Sequence, residues 1–369
     1  MFLAIHIGAG FHSPTKSLAY KKLIKQCLLE GKKLLLEKTC GIQVITKIIK
    51  ILEDSELTNA GYGSNLNLIG EVELDASLME GQKNLFTSVG AISNIKNPIE
   101  LCESMLTEYS KGHWGLGRIP PTMLSGNYTN LISKIYNLPA PITNKKELIS
   151  ESSLKQYSKH FKKFEGIEES KGILELIDVG NSELNNTNSS TNSTNAENSQ
   201  FYDTVGAICI DHTGTIVSGC SSGGISLKLP GRIGEAAIKG LGMGEHLTTI
   251  NLGQRVNDNF IKFIKLSEQD NEEFNDKYLT PIDYLNSELD SNKNLSQFDL
   301  KLMGILFIGV DKKNNDLHLL KLFSTPSMGS GYWNSKKNEI KISIDYRDDN
   351  VSSSDSGNNW CLIGNKFKL

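Results

Sequence analysis

Apolar positions along the chain change period several times, and each change predicts an element. Phe2-Leu3-Ala4-Ile5-His6-Ile7 is an almost continuous apolar run, short enough for one strand, and Gly8-Ala9-Gly10 turns the chain after it. Ser13 and Pro14 then suit the N-cap and first turn of a helix reaching about Glu30. From 42 to 54, Val44, Ile45, Ile48, Ile49, Ile51 and Leu52 recur at helical spacing, which predicts a second helix with one buried side. Residues 71–79 alternate well enough for a strand, and 87–92 suits its partner. Helices fit 98–109, 121–136 and 151–164.

The pattern then fails. Residues 181–200 have Leu184 as their one large apolar side chain and no aromatic, so burial cannot offset the entropy of ordering them. A disordered linker reaching about residue 201 is expected. After it, Val205–Ile210 and 215–220 flank Asp211-His212-Thr213-Gly214, which has the turn chemistry of a hairpin. Helical segments fall within 233–266, and Met303–Val310 with Leu317–Phe323 predict a late strand pair. Strands and helices do not alternate, which favours an α+β layered sandwich in one domain, 1–369, over a doubly wound parallel sheet.

Composition narrows the classes. With 369 residues, 38% of them apolar, the chain has enough material for a large core. The net charge is −3 and the lysines are interspersed with acids, so no nucleic-acid partner is indicated. No run approaches the roughly 18 apolar residues of a membrane span. The opening run lacks a basic flank, so it reads as a strand and not as a signal peptide. Six cysteines without CxxC or Cys/His spacing read as reduced thiols of an intracellular protein, cytoplasmic or nuclear. Sequons such as Asn192-Ser193-Thr194 then read as chance, and neither a metal nor an organic cofactor is indicated.

Chemistry concentrates where the linker ends. Asp203-Thr204 stands immediately before a predicted strand, so the bond between them is reachable while the residue after it is held by a sheet. A hydroxyl needs a base to act as a nucleophile, and an α-amine with a pKa of about 7.7–8.0 suits that role better than a lysine at about 10.4. Attack of Thr204 Oγ on the Asp203 carbonyl, followed by ester hydrolysis, would free such an amine on the same residue. Alone, Thr204 reads as an ordinary strand-initiating residue, and the residues downstream reverse that reading. Ser222, eighteen residues on, lies at the end of the return strand, and Arg232 precedes a helix where it suits a carboxylate clamp.

Thr204-Val205-Gly206-Ala207, Ser221-Ser222-Gly223-Gly224 and Leu229-Pro230-Gly231-Arg232-Ile233-Gly234 stand in the order and spacing of the asparaginase/isoaspartyl-peptidase branch of the N-terminal nucleophile hydrolases. Motifs of the first half agree: His6 to Ser13, Leu52 to Gly61, Gly63 to Leu68, Asp75-Ala76-Ser77 and Val89-Gly90-Ala91. Within that branch the chain looks most like the threonine aspartases (taspases), because Asp203 precedes Thr204 and the second hydroxyl is Ser222 in Ser-Ser-Gly-Gly. The resemblance implies an αββα sandwich cut into 1–203 and 204–369, with Thr204 as both nucleophile and base. Ser222 and Asn59 would support it, Arg232 would bind a substrate carboxylate, and Gly8 and Lys16 would assist self-processing at Asp203-Thr204. It also implies a homodimer of processed αβ units acting on proteins with Asp before the scissile bond. A β-aspartyl peptidase or asparaginase is the alternative. Ordinary roles also exist: Gly8 in a turn, Asn59 in an Asx-turn, Lys16 as a solvated charge, Ser222 as a strand-end hydroxyl.

Two departures qualify the resemblance. Between Arg232 and Gly242-Met243-Gly244-Glu245-His246 the chain is shorter by about twenty residues, a strand plus its connections. Leu241 stands where relatives carry the oxyanion-hole hydroxyl, leaving Gly242 and Gly244 for substrate binding. Losing such a donor costs on the order of 100- to 1000-fold in rate, so an inactive relative that keeps the sandwich and pairs with partners is a further reading. Glu235 stands where asparaginases use Asp to hold a substrate amine, and the longer acid is expected to crowd that pocket. Dinucleotide binding at Gly8-Ala9-Gly10 is disfavoured because Ser13 replaces the third glycine and Pro14 disrupts the helix entry.

Overall fold

The computed structural model describes residues 1–126, 128–139, 142, 144–167, 170, 171, 173, 204–238, 252–267, 284, 304–347 and 361–368. β1 (Phe2–Gly10) occupies the middle of a large sheet because both sides of its alternation find cover. Leu3, Ile5 and Ile7 meet α1 (Ser17–Leu36) and α2 (Gly41–Glu53), while Phe2 and Ala4 pack in a separate cluster towards a second sheet. Each such aliphatic side chain contributes about 1.5–3 kcal/mol by leaving water. Gly31 lets α1 press onto β1: a Cβ built there would stand 2.3 Å from Leu3 Cδ2. That close packing carries α1 past Gly31 to Leu36, beyond its expected end near Glu30.

The chain continues through β2 (Leu74–Glu80), β3 (Leu85–Ile92), α3 (Pro98–Ser110), β4 (Met123–Ser125), α4 (Thr129–Ile135) and α5 (Glu151–Glu165). After the linker, which lies outside the described residues, come β5 (Val205–Ile210), β6 (Ile216–Ser222), a four-residue α6 (Glu235–Ile238) and α7 (Leu252–Ser267). The strands β7 (Gly304–Asp311), β8 (Asp316–Phe323), β9 (Ser327–Asn334), β10 (Glu339–Tyr346) and β11 (Cys361–Lys368) complete it.

Eight strands form the large sheet in the order β10-β9-β1-β5-β6-β2-β3-β4, antiparallel except for the β3–β4 pair. A three-stranded antiparallel sheet, β11-β8-β7, lies across its second face. Ile308, Leu317, Leu319 and Phe367 of the small sheet pack on Phe2, Ala4, Ile210 and Tyr332 of the large one. Lys321 of β8 adds a polar tie, donating to Asp345 Oδ2 at 2.6 Å and Ser343 Oγ at 3.0 Å on β10. On the outer side of the small sheet, Phe260 of α7 stacks edge-on against Phe307 and His318, each centroid 5.4 Å away. The layers therefore run helix, sheet, sheet, helix, as expected for an α+β αββα sandwich.

One expected helix was wrong over part of its length. Residues 121–136 divide into β4, paired in parallel with β3, and the short α4. Gly126, at φ 91°, ends the strand, and the Pro120-Pro121 pair ahead of it favours extended backbone. The described residues also include β9, β10 and β11, which the apolar pattern did not predict.

Candidate active site

Strand register brings the predicted residues to one end of the large sheet. Val205 pairs with Ser221 and Asp75 with Ser222, so Thr204, one step before β5, comes level with Ser222 and Asp75. His6 pairs with Gly206, and the same count puts Gly8 of β1 level with Thr204 on its other side. Gly8 has φ 108°, a value that suits glycine, next to the irregularity in the β1–β9 ladder. Alternation points Thr204 to the same face as Ile210, between the two sheets.

Thr204 is 2% exposed, and its Oγ1 donates a 2.6 Å hydrogen bond to Glu235 Oε1. Glu235, 7% exposed, opens α6. The backbone just before it is fixed by Asp75, whose Oδ2 accepts from Gly234 N and whose Oδ1 accepts from Ala91 N, both at 2.8 Å. Ala91 has φ 50°, so the bond holds a backbone conformation that a non-glycine residue rarely adopts. Asp75 thus ties β2 to β3 and to the segment that carries Glu235.

Asp75 is fully buried, and burial raises its pKa while the Lys228 charge opposes the rise. Lys228 is 1% exposed; burial lowers its pKa, and Asp75 and Glu73 counter that. Its Nζ donates to Glu73 O at 2.9 Å, while both Glu73 carboxylate oxygens accept from Gly231 N at 3.0 Å. Arg232 is half-buried beside them: a Cβ built at Gly224 or Gly234 would stand 3.6 or 3.7 Å from its Nη1. Two cations and three carboxylates therefore occupy one strand-end loop cluster. Fixed cations there suit a carboxylate-bearing substrate.

Asn59 braces the turn after β6. Its Nδ2 donates to Gly224 O at 2.9 Å, its Oδ1 accepts from Asn65 N at 2.9 Å, and its carbonyl accepts from Gly223 N. Asn65 Nδ2 shares the Gly224 carbonyl, and Ser222 Oγ accepts from Gly224 N at 3.0 Å. A side chain at Gly223 has no room, since its Cβ would lie 2.5 Å from Ser64 Cβ and 2.7 Å from Asn59 Oδ1.

Thr204, Ser222, Asn59, Arg232 and Glu235 are thus drawn together. Lys16 ends the 3-10 turn Pro14–Lys16, and no side-chain hydrogen bond or ion pair among the described residues joins it to the cluster. Asp203, Leu241, Gly242 and Gly244 lie outside the described residues. Glu235, expected to crowd a substrate pocket, has its carboxylate on the Thr204 hydroxyl. Asp75, Lys228 and Glu73 were missed as site residues. Asp75 stood in a quoted motif, but Lys228 and Glu73 carry no signal beyond their charge. No group of three or more His, Cys, Asp or Glu among the described residues is placed to hold a metal ion, and no described helix is long and apolar enough to cross a membrane.

An αββα sandwich with a hydroxyl residue heading a central strand between the sheets defines the class: an N-terminal nucleophile hydrolase fold. The asparaginase family model, Asparaginase_2, matches residues 1–244, and the chain belongs to that family. It is 28% identical over 240 residues to an isoaspartyl peptidase/L-asparaginase of Xenopus laevis, covering 65% of this chain and 65% of the relative. A plant-type L-asparaginase of Pyrobaculum calidifontis is 28% identical over 244 residues, 65% of this chain and 68% of its own length. An isoaspartyl peptidase/L-asparaginase of Mus musculus is 25% identical over 261 residues, 67% and 68% of the two chains. The match therefore spans about two thirds of these relatives' lengths.

Proposed function

We propose that the chain cuts itself before Thr204 and then hydrolyses β-aspartyl amide bonds, those of isoaspartyl peptides or asparagine. Thr204 Oγ is the nucleophile and the freed α-amine its base. The observation that carries this reading is the buried Thr204 hydroxyl at the head of β5, held on the Glu235 carboxylate at 2.6 Å. Arg232 clamps a substrate carboxylate, Ser222 orients the nucleophile across the strand pair, and Asn59 keeps the Ser222–Gly224 turn in place. The relatives, an isoaspartyl peptidase/L-asparaginase and a plant-type L-asparaginase, support this substrate class. In this reading the working form is a homodimer of processed αβ units inside the cell.

A second reading, a threonine aspartase that cuts proteins after Asp, is favoured by one feature. Asp203 is the residue the chain itself would present before the scissile bond, so the same pocket would take Asp in a protein substrate. An inactive relative is the third reading, because the segment before Gly242 is short and offers Leu241 at the oxyanion-hole position.

The test has two stages. Purified protein at neutral pH is expected to yield two fragments, the smaller beginning at Thr204, whereas Thr204→Ala stays whole. A wild-type chain that remains intact overturns the nucleophile assignment. Processed protein is then offered an isoaspartyl dipeptide and a peptide with an internal Asp-Gly bond. Cleavage of the first alone is expected, and cleavage of the second alone moves the assignment to threonine aspartase.

A further inference from the structure

The amine that activates Thr204 after cleavage is missing before it, because the Thr204 nitrogen is then part of the Asp203–Thr204 peptide bond. Self-cleavage needs another proton acceptor at the hydroxyl. We propose that Glu235 is that acceptor, a general base for the first turnover that this chain performs on itself. The inference rests on Thr204 being the nucleophile and goes beyond it by assigning the base of the uncut chain.

Geometry selects Glu235 over its neighbours. Its Oε1 takes the Thr204 hydroxyl at 2.6 Å, within proton-transfer reach. Both Asp75 oxygens already accept backbone N–H groups, from Ala91 and Gly234. Lys228 Nζ is committed as a donor to Glu73 O. His6 lies two residues further along the sheet, paired with Gly206, where a Cβ would stand 2.3 Å from its Nε2. Chain length matters as well. An aspartate at 235 would end about 1.5 Å shorter, one carbon–carbon bond. The Asp75–Gly234 bond fixes the backbone at the root of the Glu235 side chain, so the carboxylate is held in place before the reaction.

The step balances without an added reagent other than water. Glu235 takes the Oγ proton as Oγ attacks the Asp203 carbonyl carbon. When the C–N bond of the tetrahedral intermediate breaks, the proton passes from Glu235 to the departing Thr204 nitrogen, leaving an ester between Asp203 and Thr204 Oγ. Water hydrolyses that ester to the Asp203 carboxylate and the Thr204 hydroxyl, and Glu235 is returned ionised.

Full-length chain made by cell-free synthesis allows the uncut form to be followed by mass spectrometry. Glu235→Gln keeps a carbonyl that accepts the same hydrogen bond but cannot take the proton. It is expected to cut itself at least ~100-fold more slowly than wild type, the usual worth of a positioned general base. Hydroxylamine, which intercepts the ester, is expected to speed fragmentation of wild type but not of Glu235→Gln. Glu235→Asp, which keeps the charge but shortens the reach, is expected to fall between the two. If Glu235→Gln melts well below wild type, Glu235→Asp decides: slowing of more than threefold supports the base, and an unchanged rate overturns it. A folded Glu235→Gln chain that cleaves within threefold of wild type also overturns it. Failure of the nucleophile reading looks different, since Thr204→Ala would then cleave or wild type would stay whole.

Discussion

The two faces of the large sheet differ in what they can tolerate. Against α1, α2 and α3 the sheet is covered by a continuous apolar cluster that includes Leu3, Ile5, Ile24, Ile48, Val89 and Met105. Towards the small sheet, the apolar packing is a smaller cluster around Phe2, Ala4, Ile210 and Tyr332, with Ile208 and Ile216 against it. On that same face Thr204 and Asp75 bring charge and hydrogen bonding under cover, and a cavity of about 240 Å³ opens among His6, Ser77, Phe86 and Ile305. Dense packing fixes a unique fold, whereas a reacting site needs polar groups and room for a substrate. The helix face therefore supplies the stability that the polar face lacks.

Truncation on the dry face breaks that comparison most severely. Ile48 is fully buried, and its side chain is among the nearest neighbours of Gly31 on α1. Ile48→Ala is expected to cost about 2–5 kcal/mol in urea unfolding. Because the site faces the other way, the folded fraction should still self-cleave at the wild-type rate. A slowed rate in folded protein would mean that the two faces are coupled.

Asp75→Asn comes next in size. A carboxylate accepts from both Ala91 N and Gly234 N, but an amide has one carbonyl and must turn its NH2 towards the other donor. Losing one charge-assisted bond in a buried site is expected to cost about 1.5–3 kcal/mol. Self-cleavage should slow as well, because Gly234 no longer fixes Glu235. Stability loss with an unchanged cleavage rate would show that Asp75 only braces the fold.

The same contrast explains what was legible in the sequence. α2 and the β5–β6 hairpin declare themselves, one by helical spacing and the other by turn residues between alternating runs. β9 does not, because Ser327-Met328-Gly329-Ser330-Gly331 reads as turn chemistry. Its glycines are packing residues: a Cβ at Gly329 would stand 2.6 Å from Ile7 Cγ1, and one at Gly331 would stand 2.7 Å from Ile24 Cγ2. In the site, Thr204 and Arg232 were legible because their neighbours form motifs. Asp75 and Lys228 act through backbone atoms of segments remote in sequence, and no local pattern encodes such partners. The Glu235 departure was visible as a residue, but its effect required the distance to Thr204.

Titration gives the finest separation of the two faces. Glu53, at the end of α2 on the helix side, is fully buried, and burial pushes its pKa up to about 8 although Ile99 N donates to it at 3.2 Å. On the other side of the sheet, burial holds His6 down at about 4, and His12, which packs edge-on against Tyr20 of α1, is also lowered to about 4 by burial. The signs are opposite. The folded protein keeps a proton on Glu53 that the unfolded chain has released above about 4.5, so stability falls as pH rises towards 8. The histidines are neutral when folded and protonated when unfolded below about 6.5, so they lower stability as pH falls from 6.5 towards 4. Between pH 6.5 and 8, Glu53 acts without the histidines and should lower stability by at most about 1.4 kcal/mol per pH unit. Glu53→Gln is expected to flatten that slope in urea unfolding at pH 6.5, 7.2 and 8, while His6→Asn changes only the slope below 6.5. A Glu53→Gln profile that keeps the wild-type slope would mean that Glu53 is ionised inside the helix face, and the contrast between a dry side and a polar side would then fail at that residue.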